Sequence, residues 1–321
     1  MPGSDPAEVA AAQDVIFSLG DSVRTWGTWG PEDERGSQNY ITPEHRVAAA
    51  RLVRRGVVFS LSLPIQDGKG PARPYPVGRF NPIHRMTVTG LGPGPLDMGA
   101  TTDFTDDLLV IGLQTSTHWD ALCHIYYQDH LYNGYPATEV DSAGAHRNGI
   151  DKVHADFFGR GVLLDVARSK ELDVLPAGYA ISTEDLVECA QQEGVEVGQG
   201  DMLLIRTGAM GTVRDGDWTD FYARPRPGLH YTVASWLGEK RIAAVAADNH
   251  GIESPSDLPG VRNPFHMLAL RDMGISLGEF WSLDELAADC AADGVYEFLL
   301  SAQGLRVEGG AGSPVNPLAI K

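Results

Sequence analysis

Apolar positions along the chain follow two rhythms. ITPEHRVAAARLVRRG, STEDLVECAQQEG and YTVASWLGEKR carry apolar residues at helical spacing, whereas VVFSLSLPI alternates with a period of two. A third group, RGVLLDVAR, GDMLLIRTG and IAAVAADN, consists of short unbroken apolar runs. Alternation predicts a half-buried strand, and an unbroken run bounded by turn residues predicts a strand covered on both faces. Punctuation agrees with these assignments. Thr42 is placed to cap a helix with Pro43 at its first position and Gly56 at its end, and the STEDLVECAQQEG helix stops at Gly194. SLDELAAD predicts a further short helix, and GLRVEGGAGSPVNPLAIK a loop-like tail with one last strand.

Helices and strands that interleave in this way predict an α/β domain with at least part of its sheet buried on both faces. Residues 1–25 read as an N-terminal arm with a short amphipathic helix, and 26–321 as a single domain. The Gly- and Pro-rich stretch 66–100 predicts long loops over one face, where binding residues often sit. Charge narrows the partners: a net charge of −18 opposes a phosphate backbone or an anionic membrane surface, so nucleic-acid and membrane binding are not expected. Three scattered cysteines, without a C-x-x-C, fit a reducing compartment. The N-terminus lacks a basic region before an apolar core, and no window is apolar enough to span a bilayer. A soluble, cytoplasmic protein is expected.

The densest group of chemically capable side chains is THWDALCH, which holds His118, Asp120 and His124. If the segment enters as a strand, Gln114, His118 and Asp120 share a side; if it then turns helical, Asp120 and His124 lie one turn apart. Two imidazoles and a carboxylate at one spot are the makings of a metal site, and the alternative is a hydrogen-bonded core histidine pair. AADNHGIES follows an apolar run and so falls at the carboxyl end of a strand, where Asp248, Asn249, His250 and Glu253 either join that site or serve as turn and cap residues. GISLG matches the G-x-S-x-G nucleophile elbow, but His266, the last histidine, precedes Ser276, so the required Ser, acid, His order cannot be completed. Cys123 beside His124 reads as a buried structural thiol, because sequence neighbours point apart.

The segment Gln114–His124, QTSTHWDALCH, resembles the motif H-x-G-T-H-x-D-x-x-x-H of the cyclase family of metal-dependent hydrolases, which includes bacterial-type kynurenine formamidase and isatin hydrolase. WGPEDERGSQNYIT, RGVLLDVAR, GDMLLIRTG and AADNHGIESP resemble its longer-chain branch in the same order, over roughly residues 26–290. The resemblance implies a mixed-sheet swivelling α/β domain, in homodimers or homotetramers. It implies His118 and Asp120 as metal ligands and His124 as proton shuttle, with His266 and Glu279 completing the site. Gln114 stands where the formamidases have a histidine ligand, and Ser116 replaces the motif glycine.

The expected activity is hydrolysis of an amide or lactone in a small cyclic or aromatic substrate, by water activated on Mn²⁺ or Zn²⁺. Trp119, Tyr126, Phe80 and His84 are candidates to line the pocket. The rival readings are a metal-dependent cyclase or dehydratase of secondary metabolism, and a catalytically silent metal- or ligand-binding module.

Overall fold

A computed structural model describes residues 5–71, 79–91, 102–213 and 215–321. Its main sheet uses β1 (Val58–Ser60), β2 (His118–Asp120), β3 (Phe158–Asp165), β4 (Met202–Arg206), β5 (Ala244–Ala247), β6 (Ser276–Glu279), β7 (Glu297–Ser301), β8 (Gly312–Pro314) and β9 (Leu318–Ile320). In space the order is β1, β9, β7, β3, β4, β5, β6, β2, β8. The four central strands, β3 to β6, run parallel, and antiparallel strands flank them on both sides. Parallel neighbours need crossovers. Here these include the helices Thr183–Glu193 and Ala234–Lys240 and the helical segment from Pro264 to Asp272.

The central strands bury both faces. Leu163, Met202, Leu204, Ala244 and Ala246 belong to one core, while Val162, Leu164, Leu203, Ile205 and Val245 belong to the other. This explains their unbroken apolar runs: both parities of the strand are inside. Chain punctuation sets the crossovers. Ser182 and Asp185 form a reciprocal capping box, and Gly194 takes the left-handed conformation that ends the helix.

Several elements differ from the sequence expectations. The helix begun by Thr42 and Pro43 ends at Ala50, not near Gly56, because the amides of Arg55, Gly56 and Val57 donate to the Lys321 carbonyl instead of continuing it. The first helix, Pro6–Val23, is not a separate arm: Ala12 and Ile16 belong to the same core cluster as Val162 and Leu203. Arg24 ties its end to the buried carboxylate of Asp272, and Trp26 donates to the carbonyl of Arg271. The tail contributes two strands, β8 and β9. Much of 66–100 lies outside the described residues; within the remainder, Ile83–Val88 pairs with Asp106–Val110 as a hairpin. Among the described residues no helix is long and apolar enough to cross a membrane.

Two positions in this framework yield measurable expectations. Gly278 packs its bare Cα among the two indoles, since a Cβ there would come within 2.7 Å of Trp119 and of Trp281. Gly278→Ala should therefore destabilise the protein by about 1–3 kcal/mol in urea denaturation, the range typical of overpacking; an unchanged midpoint would show that the indoles give way freely. Glu193 accepts the Asp165 amide at 2.9 Å, and burial raises its pKa from near 4.5 to about 8. The folded state thus holds this proton more tightly than the unfolded chain. Its contribution is fully present below pH 4.5 and is lost as the pH rises through 8. Relative to Glu193→Gln, the parent should lose stability between pH 5 and 8.5, and parallel stability curves for the two proteins would contradict this.

Candidate metal centre

The site follows from one register. β6 and β2 pair antiparallel with Glu279 opposite His118 and Gly278 opposite Trp119. Directly opposed residues share a face, and Asp120, two residues on from His118, shares it too. His118, Asp120 and Glu279 are all buried and present ligand atoms within 4.8 Å of one another. Trp119 and Gly278 take the other face. There Trp119 stacks on Phe157 at 4.6 Å, meets Trp281 edge-on, and donates its Nε1–H to the Ala302 carbonyl at 2.8 Å.

Supports outside the triad aim the imidazoles. Nδ1 of His118 lies 2.8 Å from the Ser116 carbonyl, which directs Nε2 to Asp120 at 3.5 Å and Glu279 at 4.0 Å. His266 stands at the start of the helical segment after Pro264. Its Nδ1 meets Glu253 at 2.5 Å, which directs Nε2 to Glu279 at 3.3 Å and Asp120 at 3.9 Å. Glu253 also accepts the backbone amides of Phe265 and His266. After β2 the chain makes a turn rather than a helix, closed by the His124 amide on the Ala121 carbonyl. The turn leaves His124 Nε2 3.7 Å from Asp120.

The electrostatics are those of a cation site. Neither oxygen of Asp120 accepts a hydrogen bond although the side chain is 1% exposed. A buried carboxylate without a donor is costly, and three imidazole nitrogens at 3.5–3.9 Å surround it without bonding to it. Groups that converge on a shared point at such separations fit a divalent ion bound by imidazole and carboxylate. Burial alone would raise the Glu279 pKa, but the His266 hydrogen bond and the His118 charge hold it well below the usual range. Burial alone would lower that of His266, but Glu253 and Glu279 outweigh it and raise it to about 10. His124 differs: burial dominates and keeps its pKa below the ordinary histidine value.

A cavity of about 350 Å³ opens over this centre, with Gln114, His124, His266 and Glu279 on its wall. Gln114 lies in a turn before β2, so the strand assumed for residues 114–120 starts only at His118; its buried amide nitrogen has no hydrogen-bond partner. None of the four expected pocket residues lines the cavity. Trp119 is in the core, Tyr126 and Phe80 are exposed on the surface, and His84 pairs with Asp107 across the outer hairpin. Tyr222, His250 and Phe280 supply the aromatic wall instead. Of the AADNHGIES group, His250 reaches the cavity and Glu253 holds His266. Asp248 instead binds Thr207 and Gly208, and burial lifts its pKa to about 6. Ser276 of the G-x-S-x-G pattern is fully buried in β6 and lies off the cavity wall. Cys123 is buried, its thiol pushed up to about 12.

The Cyclase family model matches residues 45–254, about two thirds of the chain. The chain belongs to the cyclase family. Isatin hydrolase of Roseibium aggregatum is 27% identical over 225 residues, 68% of this chain and 75% of that protein. Among solved structures, one described as a novel cyclase is 44% identical and superposes with a TM-score of 0.85, covering 93% of this chain and 99% of its own. Isatin hydrolase A from Ralstonia solanacearum shares the fold at a TM-score of 0.61 and 19% identity, over 87% and 98% of the two chains. The structure gives a reason for the glycine in the cyclase-family motif: Ser116, at that position, has φ of 63°, the left-handed region that favours glycine.

Glu253→Ala would leave two backbone amides and an imidazole nitrogen without their buried acceptor. A loss of about 3 kcal/mol or more is expected in chemical denaturation, and a loss below about 1 kcal/mol would show that His266 is held by its packing alone.

Proposed function

We propose that the protein is a metal-dependent hydrolase that opens an amide or lactone bond in a small cyclic or aromatic substrate. The observation that carries this reading is the buried Asp120 carboxylate, unbonded at both oxygens, clustered with His118 and with Glu279, which lines a cavity with an aromatic wall. Those three residues would hold a divalent ion, with His266 Nε2 and Gln114 as further donors. Two of the three principal donors are carboxylates, a set that accommodates Mn²⁺ as well as Zn²⁺. When bound, the ion supplies a lowered pKa for water and polarisation of the scissile carbonyl.

The chain's own groups do the rest. Tyr222, His250 and Phe280 offer aromatic edges and faces against which a flat ring can rest. His124, kept neutral by burial, takes a proton from the attacking water at Nε2 and returns it to the leaving nitrogen or oxygen. Glu253 fixes the ring of His266, so that its Nε2 stays on the carboxylate side. The family description favours one second reading, a ring closure or dehydration in the same cavity. Incorporation of ¹⁸O from labelled water into product separates hydrolysis from it.

The proposal is tested by metal analysis and an activity screen on amides and lactones. Chelation should abolish activity, and added Mn²⁺ or Zn²⁺ should restore it. His118→Ala should lose the metal, whereas His124→Ala should keep it and lower kcat by about 10²–10⁴. Full activity of metal-free protein would overturn the proposal, and equal metal loss in the two variants would overturn the division of roles.

A further inference from the structure

The lining of the cavity that Glu279 reaches is rich in cations. Arg79, Arg226 and Arg262 all line the cavity, in a chain with only 25 basic residues against 43 acidic ones. Arg226 is held in place without being neutralised. Its Nε donates to the Glu253 carbonyl at 2.7 Å and a terminal nitrogen reaches the Asn263 side-chain oxygen at 3.4 Å; both acceptors are uncharged. Among the described residues no carboxylate lies within ion-pair distance of Arg226 or Arg262, and exposed Arg262 makes no hydrogen bond. By contrast Arg35, Arg160 and Arg206 are each paired with acidic side chains.

Local backbone makes room for this guanidinium. Gly251, at φ of +80°, lies under Arg226, and a Cβ there would come within 2.8 Å of Nε and 2.9 Å of Cζ. Arg79 lines the same cavity as Arg226, Arg262 and His124. An immobilised, uncompensated guanidinium offers its remaining N–H groups in the planar fork that matches a carboxylate. A neutral substrate would leave that charge facing the pocket with no partner.

We propose that this cavity selects substrates that carry a carboxylate, bound by Arg226 and Arg262 with Arg79 beside them, while the reacting amide or lactone lies over His118, Asp120 and Glu279. This deepens the hydrolase reading and rests on it for the identity of the reacting bond. Recognition of the anion does not require turnover. The cavity lining accordingly combines Glu279 of the cation cluster, three arginines for an anion, and Tyr222, His250 and Phe280 for a ring.

The test is a binding measurement on the full chain. Isothermal titration with hippurate and with its methyl ester, which share the ring and the amide, isolates the charge; the parent, Arg226→Gln and Arg262→Gln are compared, each with chelator and with added Mn²⁺. The acid should bind the chelated parent roughly tenfold more tightly than the ester, as expected for charged hydrogen bonds, with the preference falling as salt is raised. Either substitution should shrink that preference several-fold while leaving the ester's affinity unchanged. Arg262→Gln touches an exposed side chain without bonds and keeps the test decisive if Arg226→Gln disturbs the fold. Equal affinity of acid and ester, no binding of either, an acid preference seen only with Mn²⁺, or one that survives both substitutions would overturn the proposal. Absence of hydrolysis alongside an intact acid preference would instead count against the hydrolase reading alone.

Discussion

The pairing of β2 with β6, Glu279 opposite His118, is the constraint on which the rest depends. Because side chains alternate along a strand, a slip of one residue would turn Glu279 towards the indoles of Trp119 and Trp281 and put Gly278 beside His118. The two faces enforce the register together. One accepts only glycine opposite Trp119, and the other gathers three polar groups that gain from each other's company. Packing on the apolar side thereby sets the spacing of the charged side.

Burying two carboxylates and two imidazoles within a few ångströms is unfavourable unless each group is oriented and compensated. The compensation is distributed over separate parts of the chain. The Ser116 carbonyl turns His118, Glu253 turns His266, and Glu253 is itself satisfied by the amides at the start of the helical segment after Pro264. Of the two carboxylates and two imidazoles, the one left without a hydrogen bond is Asp120. The cluster is thus oriented at its supports and electrostatically unfinished at its centre.

Much of this was legible in the sequence, for identifiable reasons. The buried strands β3, β4 and β5 announced themselves because both faces are apolar, and the Ser182 cap and Gly194 stop gave the helix between β3 and β4. The proximity of His118, Asp120 and His124 was visible because it is local. The aromatic wall was not: Tyr222 and Phe280 come from distant segments, and Trp119 belongs to the opposite face by the same alternation that places His118 and Asp120 in the site. β8 escaped notice because it is short, rich in Gly and Pro, and defined by its partner β2 rather than by its own pattern. The role of Glu253 shows only once His266 is beside it.

The sheet order also bears on when this centre comes into being. Among the described residues β2 pairs with β6 and β8, both of which lie more than 150 residues later in the chain. A nascent chain that stops short of Glu279 carries two of the three clustered groups on an unpaired segment exposed to water. Closure of the sheet around β2 is a long-range, late and slow event of the kind that limits folding rates. Bringing Glu279 beside His118 and Asp120 therefore requires β6 to have joined β2, so the cluster is a product of the long-range topology and not of any local segment.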